Sequence, residues 1–211
     1  MSTQKTSILG QDFELHPCGA VYWVTQKMLL IADVHLGKVS HFRKYGIAIP
    51  PESIAGNFEK LNQVIANYDP EVICFLGDLF HSESNHEFKM FAQWLCDLNR
   101  RVVLVIGNHD TAGYDDYCDY LEVMPSWQIG EVLLTHHPQT DCDNLNICGH
   151  IHPCILLRGT GRQALRLPCF YYADNQFVLP AFGLFTGMYE MPIDRATRVF
   201  AIADKEVVVI S

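Results

Sequence analysis

Five short apolar segments, each followed at once by polar residues, constrain most strongly how this chain can fold. They are MLLIA (28–32), VICFL (72–76), VVLVI (102–106), VLLT (132–135) and NIC (146–148). Continuous runs of this length, rich in Val, Ile and Leu, are typical of strands that are buried on both faces. We therefore expect all five segments to form strands in the interior of the protein.

Two amphipathic segments separate the first three of these runs. Apolar residues recur at helical spacing at positions 54, 58, 61 and 65 in the first segment, and at 88, 91, 95 and 98 in the second. Ser84 and Glu87 form a capping-box pattern at the start of the second segment. The alternation of strand and helix predicts βαβ crossovers and a parallel core sheet.

The last third of the chain has a different pattern. CFYYADNQFVL reads as two short strands about an Asp-Asn turn, and RVFAIADKEVVVIS reads as two more about Asp204 and Lys205. A further short strand is predicted at VYWV (21–24). The predicted fold class is therefore α/β, a four-layer sandwich of two mixed sheets flanked by helices. Residues 1–211 are expected to form a single domain.

Charge and composition exclude several classes of protein. The net charge of −9 argues against a general nucleic-acid coat protein, because such proteins bind phosphates through clustered Lys and Arg. No apolar run approaches the roughly 20 residues that cross a bilayer, and the first residues lack the apolar core of a signal peptide. The eight cysteines are scattered without a C-x-x-C pair, as in proteins with reduced thiols. We expect a cytoplasmic protein without a membrane partner.

Ten polar residues follow the five apolar runs. They are Asp33, His35, Asp78, Asn108, His109, Asp110, His136, His137, His150 and His152. A single His or Asp at a strand end usually has a structural role, satisfied by a backbone partner or by water. Five such ends together favour a shared site, because ligands bind at the carboxyl ends of strands in parallel sheets.

The spacing of these residues indicates metal binding. Asp33 with His35, and His150 with His152, stand at positions i and i+2, so on an extended backbone each pair would point to one side. Mixed imidazole and carboxylate ligation suits Mn, Fe or Zn. The set is larger than one ion needs, and Asp78 is free to bridge. Two divalent ions about 3.5–4 Å apart would clamp the attacking and leaving oxygens of a phosphoryl displacement.

The order D-x-H, G-D, G-N-H-D, H and G-H-x-H over residues 33–152 resembles the calcineurin-like binuclear metallophosphoesterase superfamily. The resemblance implies the four-layer sandwich fold of that superfamily and a hydrolase with two metal ions. By position it implies that the first metal is held by Asp33, His35 and His152, the second by Asn108, His136 and His150, with Asp78 bridging.

The GNHD motif (107–110) carries the catalytic residues that the resemblance implies. Gly107 would let the chain turn sharply off its strand, and Asn108 would offer its carbonyl oxygen to a cation. His109 would meet the leaving group, with its ring oriented by Asp110.

Two adjacent histidines compete for one ligand position. We assign it to His136, because alternation along an extended chain would send His137 to the opposite side. A supporting role behind the ligands stays open for His137.

A narrower resemblance covers nearly the whole chain. The segments DVHLGK, HFRKYGIAIP, GDLFHS, THHP, GHIHP, LPCF and LPAFGLFTG are similar to the ligase-associated DNA damage response endonuclease family, PdeM. His81 stands where the superfamily commonly has Asp, as it also does in the double-strand-break-repair nuclease branch. The resemblance implies a manganese-dependent phosphodiesterase that incises DNA, preferably single-stranded, with a repair helicase or ligase as partner.

Basic residues follow the first and last motifs and are candidates for binding the substrate. Lys38, Arg43 and Lys44 follow the first, and Arg158, Arg162 and Arg166 follow the last. We predict substrate contacts for Lys38, Arg43, His81, Arg158 and Arg162, with ordinary surface charge as the alternative for the basic groups.

Two other functions stay open from the sequence. The acidic stretch YDDYCDYLE (114–122) would repel a long polyanion unless it folds away from the groove or closes over a small substrate. A small-molecule phosphoesterase acting on a nucleotide or a lipid-linked pyrophosphate is therefore one alternative, and a closed pocket instead of an open groove would distinguish it. A non-catalytic scaffold is the second alternative, although every ligand position holds a competent residue.

Overall fold

The structure, a computed structural model, describes residues 1–46, 48, 52–81, 86–110, 120–140, 143–161, 163–184 and 186–211; the side chains of residues 43, 44, 52–54 and 86 are not included. The capping-box residue Ser84, most of the acidic stretch, Arg162 and the side chain of Arg43 therefore lie outside the described residues.

The first sheet contains seven strands in the order of the sequence. They are β1 (Gln4–Ile8), β2 (Gln11–Leu15), β3 (Val21–Trp23), β4 (Met28–Ile31), β5 (Val72–Leu76), β6 (Arg101–Val105) and β7 (Glu122–Met124). β1 to β4 pair antiparallel, and β4 to β7 pair parallel. Helices α1 (Lys38–Lys44) and α2 (Glu52–Tyr68) connect β4 to β5, and α3 (His86–Leu98) connects β5 to β6. The predicted parallel core with helical crossovers is confirmed.

The second sheet contains the remaining strands of the described chain. They are β8 (Trp127–Ile129), β9 (Val132–Leu134), β10 (Leu145–Cys148), β11 (Pro153–Arg158), β12 (Ala164–Ala173), β13 (Gln176–Val178), β14 (Tyr189–Glu190), β15 (Arg198–Ala203) and β16 (Glu206–Val209). β9, β10 and β13 pair parallel, whereas β12 pairs antiparallel with β11, β13 and β15. Both hairpins predicted in the last third of the chain are confirmed.

The main core lies between the two sheets. Phe13, Trp23 and Leu76 of the first sheet belong to the same buried cluster as Ile147 and Phe177 of the second. Burial of each such side chain contributes about 1.5–3 kcal/mol. The two-sheet architecture predicted from the sequence is confirmed. This shared core holds the strand ends that carry the polar motifs in fixed positions.

The two sheets are covered differently on their outer faces. Phe58 and Leu61 of α2 and Phe91 of α3 pack on Leu29 and Phe75 of the first sheet. On the second sheet the described outer contacts come from strands and loops, including Ile151, Leu167 and Met191. The helices of the described chain therefore lie on the first sheet.

Two features of the strands were not predicted from the sequence. β9 and β10, which precede the HH and GHIH motifs, belong to the second sheet and not to the sheet of β4–β6. They pair parallel with each other. The pattern also missed the β1–β2 hairpin, whose turn residues Leu9 and Gly10 have φ values of 47° and 77°.

Two further findings concern the cysteines and the helices. Cys18, Cys74, Cys96, Cys148, Cys154 and Cys169 are free thiols, as expected, whereas Cys118 and Cys142 are outside the described residues. Among the helices of the described chain, none is long and apolar enough to span a membrane.

Candidate metal centre

The polar motifs meet where strands of both sheets end. Hydrogen bonds from backbone N–H groups connect the loops. His35 N donates to the backbone oxygen of Asp78 at 2.9 Å, and His150 N donates to the carboxylate Oδ2 of Asp33 at 2.9 Å. His109 N donates to Asp78 Oδ1 at 2.9 Å. Asp33 and Asp78 therefore hold the backbone of neighbouring motifs while their remaining lone pairs face the centre.

Five of these residues have a left-handed backbone. The φ values are 55° for Asp33, 52° for His35, 49° for Asp78, 67° for His150 and 54° for His152. The expectation that D-x-H and H-x-H are extended is therefore wrong, because both motifs lie in loops that turn back over the strand ends. Left-handed geometry costs L-residues roughly 1–2 kcal/mol each, and such strain concentrates at functional sites.

One group of side chains suited to a metal ion is formed by Asp33, His35 and His152. Their candidate ligand atoms lie within 4.8 Å of one another. His152 Nδ1 donates to Gly187 O at 3.1 Å, and its Nε2 lies 3.3 Å from Asp33 Oδ1. Because the carbonyl fixes the proton on Nδ1, the Nε2 lone pair of His152 points toward the centre. The structure thus brings together the three residues predicted for the first metal.

A second group is formed by Asp33, Asp78 and His136, so Asp33 belongs to both. His136 Nδ1 donates to Leu76 O at 2.9 Å, so Nε2 is the ring nitrogen that faces the other side chains of the group. That Nε2 atom lies 3.0 Å from Asn108 Oδ1 and 3.4 Å from Asp78 Oδ1. Acceptor atoms converging at such distances suit a cation between them.

A third group consists of His136, His137 and His150. His150 Nδ1 lies 3.2 Å from His136 Nε2, and the ring centroids of His137 and His150 are 4.1 Å apart. The expectation that His137 points away from His136 is therefore wrong. β9 ends at Leu134, and Thr135 Oγ1 donates to His137 O at 2.7 Å, which closes a turn instead of continuing the strand.

The chemistry of these side chains fits divalent cations. Asp33 Oδ1 and both ring nitrogens of His35 are buried and have no hydrogen-bond partner in the described chain. Each unsatisfied buried polar atom costs about 1–3 kcal/mol, which a cation would offset. Burial lowers the pKa of His35 to about 2, and it also lowers the pKa of His137 and His150. These imidazoles are therefore neutral near pH 7, with lone pairs available for coordination.

Removal of divalent metal should lower the melting temperature. A ligand present at a hundred times its Kd stabilises by about 2.7 kcal/mol, which is about 5–10 °C for a chain of this size. We expect protein treated with EDTA and dialysed to melt lower by that amount, and Mn²⁺ to restore the transition. Identical melting curves with and without metal would contradict binding at these buried groups.

Two glycines permit the close approach of the loops. A Cβ atom at Gly107 would overlap the backbone nitrogen and Oδ1 of Asp78, and a Cβ atom at Gly149 would overlap Asp33 Oδ2. The chain does turn after Gly107, since Asp110 N donates to Gly107 O at 3.3 Å, but Gly107 itself is not in the left-handed region. A glycine is needed at this position because Asp78 passes against its backbone.

Asp110 also differs from its predicted role. Its Oδ2 accepts from Gly107 N at 2.8 Å and its Oδ1 accepts from Phe80 N at 3.1 Å. Burial raises the pKa of Asp110, and these two backbone donors oppose that rise. The carboxylate therefore fastens the GNHD loop to the loop after β5, in place of the expected bond to the His109 ring.

Replacement of Asp110 by Ala should lower the free energy of unfolding, because two backbone N–H groups lose their acceptor. We expect a loss of about 1–3 kcal/mol for each N–H left unsatisfied, measured by urea unfolding. Asp97→Ala is the matched control, since Asp97 is exposed on α3 and accepts only from a side chain in the described contacts, Gln93 Nε2 at 3.0 Å. Unchanged stability with lost activity would instead support orientation of His109.

His109 and His81 lie beside the ligand groups. The ring centroid of His109 is 5.6 Å from that of His35 and 5.2 Å from that of His81. The side chain of His109 is exposed. His81 Nδ1 is buried without a partner in the described chain, and burial lowers the pKa of His81 to about 4. The His81 imidazole is therefore neutral near pH 7, and the His109 ring is open to solvent. Both rings lie next to the centre.

Lys38 is the predicted basic residue that the structure places at the centre. Burial lowers the pKa of its ammonium group, and the carboxylates of Asp78 and Asp33 oppose that shift. The start of α1 is held by Glu87, which accepts from Gly37 N at 2.7 Å and from Ser40 Oγ at 2.7 Å. No short-range pattern indicates this contact, which spans fifty residues.

The other predicted basic residues are not brought to the centre by described contacts. Arg158 and Arg166 are exposed on the β11–β12 hairpin. The Arg43 side chain and Arg162 lie outside the described residues, so their predicted substrate contacts stay predictions.

The arrangement of histidines and carboxylates at converging strand ends defines a class of metal-dependent hydrolase. Residues 26–147 match the family model of the calcineurin-like phosphoesterases. Because this match covers more than half of the chain, the chain belongs to that family and is a metal-dependent phosphoesterase. The family resemblance predicted from the motifs is confirmed.

The solved structures add a likeness over the whole length of the chain. The Pseudomonas putida nuclease MPE is 28% identical, with a TM-score of 0.81 over 99% of this chain and 100% of that one. The E. coli phosphoesterase Yfce is 16% identical, with a TM-score of only 0.43 over 84% of this chain and 88% of that one. No curated protein sequence matches the chain.

Proposed function

We propose that this phosphoesterase is a DNA endonuclease that hydrolyses phosphodiester bonds in single-stranded DNA, with Mn²⁺ as its metal and DNA repair in the cytoplasm as its setting. The observation that carries the proposal is the likeness to a nuclease across the full length of both chains. A repair helicase or ligase is the proposed protein partner. Fe and Zn are the alternative metals, since both accept imidazole and carboxylate ligands.

The proposed ligands follow the groups described above. Asp33, His35 and His152 would hold one metal, Asn108, His136 and His150 would hold the other, and Asp78 would be a ligand shared by both. Support comes from the grouping of Asp33 with His35 and His152, from the grouping of Asp78 with His136, and from the approach of Asn108 Oδ1 to His136 Nε2 at 3.0 Å. Two divalent cations would supply Lewis acidity to the phosphate oxygens and would lower the pKa of a water molecule.

The chain's own residues bind and protonate the substrate in this proposal. The His109 backbone is held by Asp78, while its exposed ring is free to give a proton to the leaving oxygen. Asn108, also exposed, offers amide donors to the charge that develops on the phosphate oxygens. Asp110 supports both residues by holding the start of their loop.

Charge at the centre supports a phosphate substrate. The chain as a whole carries −9, so an anionic substrate needs a local cation. Lys38 supplies one beside Asp33 and Asp78, and His81 adds a buried imidazole nitrogen without a described partner. Arg158 is proposed to bind a phosphate of the DNA strand farther from the cleaved bond.

The decisive experiment compares substrates and metals on one preparation. Metal-free protein is supplied with Mn²⁺, Zn²⁺, Mg²⁺ or Fe²⁺ and tested on single-stranded DNA, duplex DNA and a chromogenic phosphodiester. Cleavage of internal bonds in circular single-stranded DNA with Mn²⁺ is the expected result. Hydrolysis of the chromogenic diester without cleavage of either DNA would overturn the nuclease assignment and favour a small-molecule substrate.

Lys38→Ala should weaken cleavage of single-stranded DNA and reduce its salt dependence. Loss of one phosphate contact lowers the slope of log(kcat/KM) against log[salt] by about 0.7. Lys38→Arg should retain the slope, and Lys5→Ala should leave both quantities unchanged, since Lys5 pairs with Glu14 on the far edge strands of the first sheet. Lost activity with an unaltered slope would assign Lys38 to the support of the metal ligands.

A further inference from the structure

A row of aromatic side chains connects the metal centre with the protein surface. Ring centroids are 5.5 Å apart for His35 and His81, 5.3 Å for His81 and His41, and 4.8 Å for His41 and Tyr45. All three distances are in the usual range for aromatic pairs. His35 is buried, His81 and His41 are half-buried, and Tyr45 is 71% exposed. The row therefore ends in an aromatic ring that is open to solvent.

Packing accounts poorly for an aromatic residue at position 45. Aromatic residues stabilise a fold through the large area that they bury, and Tyr45 buries little of its own. Its ring is tilted by 45° against the half-buried ring of His41, which supports it from one side. Most of the remaining surface of the ring is left for another molecule.

Tyr45 lies on the same helical face as Lys38, the residue proposed to bind phosphate. Lys38, His41 and Tyr45 stand at positions i, i+3 and i+7 on α1 and its last turn, so they share one face. Lys38 lies near the carboxylates of Asp33 and Asp78 at one end of that face. A cation at the metal centre and an exposed ring at the rim are thus aligned on a single element.

We infer that Tyr45, supported by His41, is a stacking platform for a nucleobase of the bound single strand, placed beyond the scissile phosphate. This inference rests on the proposed function and adds a substrate-binding site to it. Aromatic side chains bind single strands because every base has a π-face, while a nearby cation follows the backbone. In a duplex the bases are stacked inside and cannot reach the ring. The platform therefore selects single-stranded substrates.

The first test is the loss of the ring. Tyr45→Ala should weaken the binding of a single-stranded oligonucleotide by about 5- to 100-fold, the range found when one stacking contact is removed. Tyr45→Phe and Tyr45→Trp should restore binding, because each retains a π-face. The loss of activity on a small chromogenic diester should be smaller than the loss on DNA.

Tyr120→Ala is the matched control. Tyr120 is also exposed, at 52%, but it precedes β7 at the amino ends of the parallel strands, opposite the metal centre. Its replacement should leave binding of the oligonucleotide unchanged. The slope of binding against salt should be the same for Tyr45→Ala and wild type, because stacking releases no counterions.

The second test removes the base instead of the ring. Oligonucleotides with abasic residues moved stepwise past the cleavage site should bind wild type more weakly at one position and bind Tyr45→Ala equally at all positions. An equal loss for Tyr45→Ala on intact and abasic strands would overturn the inference, as would unchanged binding. If wild type neither binds nor cleaves DNA, the proposed function itself fails; if it cleaves DNA and Tyr45→Ala is unchanged, only the stacking platform fails.

Discussion

Asp78→Asn should reduce hydrolysis of every substrate by about 10³-fold or more. Asp78 is the proposed bridging ligand, and Lewis-acid stabilisation by metal ions is worth several kcal/mol in such reactions. Asn keeps the shape of the side chain and tolerates the left-handed backbone of residue 78, so the fold should survive. The measurements are kcat/KM on DNA and on a chromogenic diester, together with metal content per chain.

Metal content separates this explanation from a structural one. Asp78 Oδ1 also accepts from His109 N, and an Asn side chain can keep that bond through its carbonyl oxygen. We therefore expect a lower metal stoichiometry with a cooperative unfolding transition like that of wild type. A variant with full metal content would end the assignment of Asp78 as the bridge.

His109→Ala should lose DNA cleavage by about 10²-fold or more and keep both metals. A sugar alkoxide is strongly basic and leaves slowly without a proton donor, and a positioned acid contributes about 10²–10⁴-fold. A nitrophenolate needs no such help, so activity on a nitrophenyl diester should fall much less. The exposed ring of His109, next to His35 and His81, is consistent with this role.

Two results would count against an acid's role for His109. Loss of bound metal would make it a ligand, and equal losses on DNA and on the nitrophenyl diester would make it a positioning residue. A series of diesters with leaving groups of graded pKa gives a third measure. Wild type should depend weakly on leaving-group pKa and His109→Ala strongly.

The sequence predicted the location of the site well because two short-range signals coincide there. Buried strands are visible as apolar runs, and the motifs that carry Asp33, Asp78 and Asn108 follow those runs directly. Strand ends in parallel sheets converge, so the meeting of these residues follows without knowledge of loop geometry. The assignment of each ligand to a metal stays a prediction.

Other features depend on contacts that no local pattern encodes. The contact of Glu87 with Gly37 and the anchoring of Phe80 N by Asp110 join segments that are distant in sequence. Alternation along a strand misplaced His137 because β9 ends before it, so the period of two no longer applies. The ends of strands are the least predictable part of a sequence pattern, and this site is built entirely from them.

The left-handed backbone at Asp33, His35, Asp78, His150 and His152 affects which substitutions the fold tolerates. Gly and Asn adopt this conformation with little steric cost, whereas Ala and β-branched residues do not. Alanine scanning of these five positions would therefore combine two effects, the loss of a ligand and added backbone strain. Asn at the two carboxylate positions removes the negative charge but keeps an oxygen that can accept from His150 N or His109 N, and Gly at the three histidine positions removes the ligand without adding strain. An inactive descendant of this protein would therefore keep its shape most readily through these substitutions.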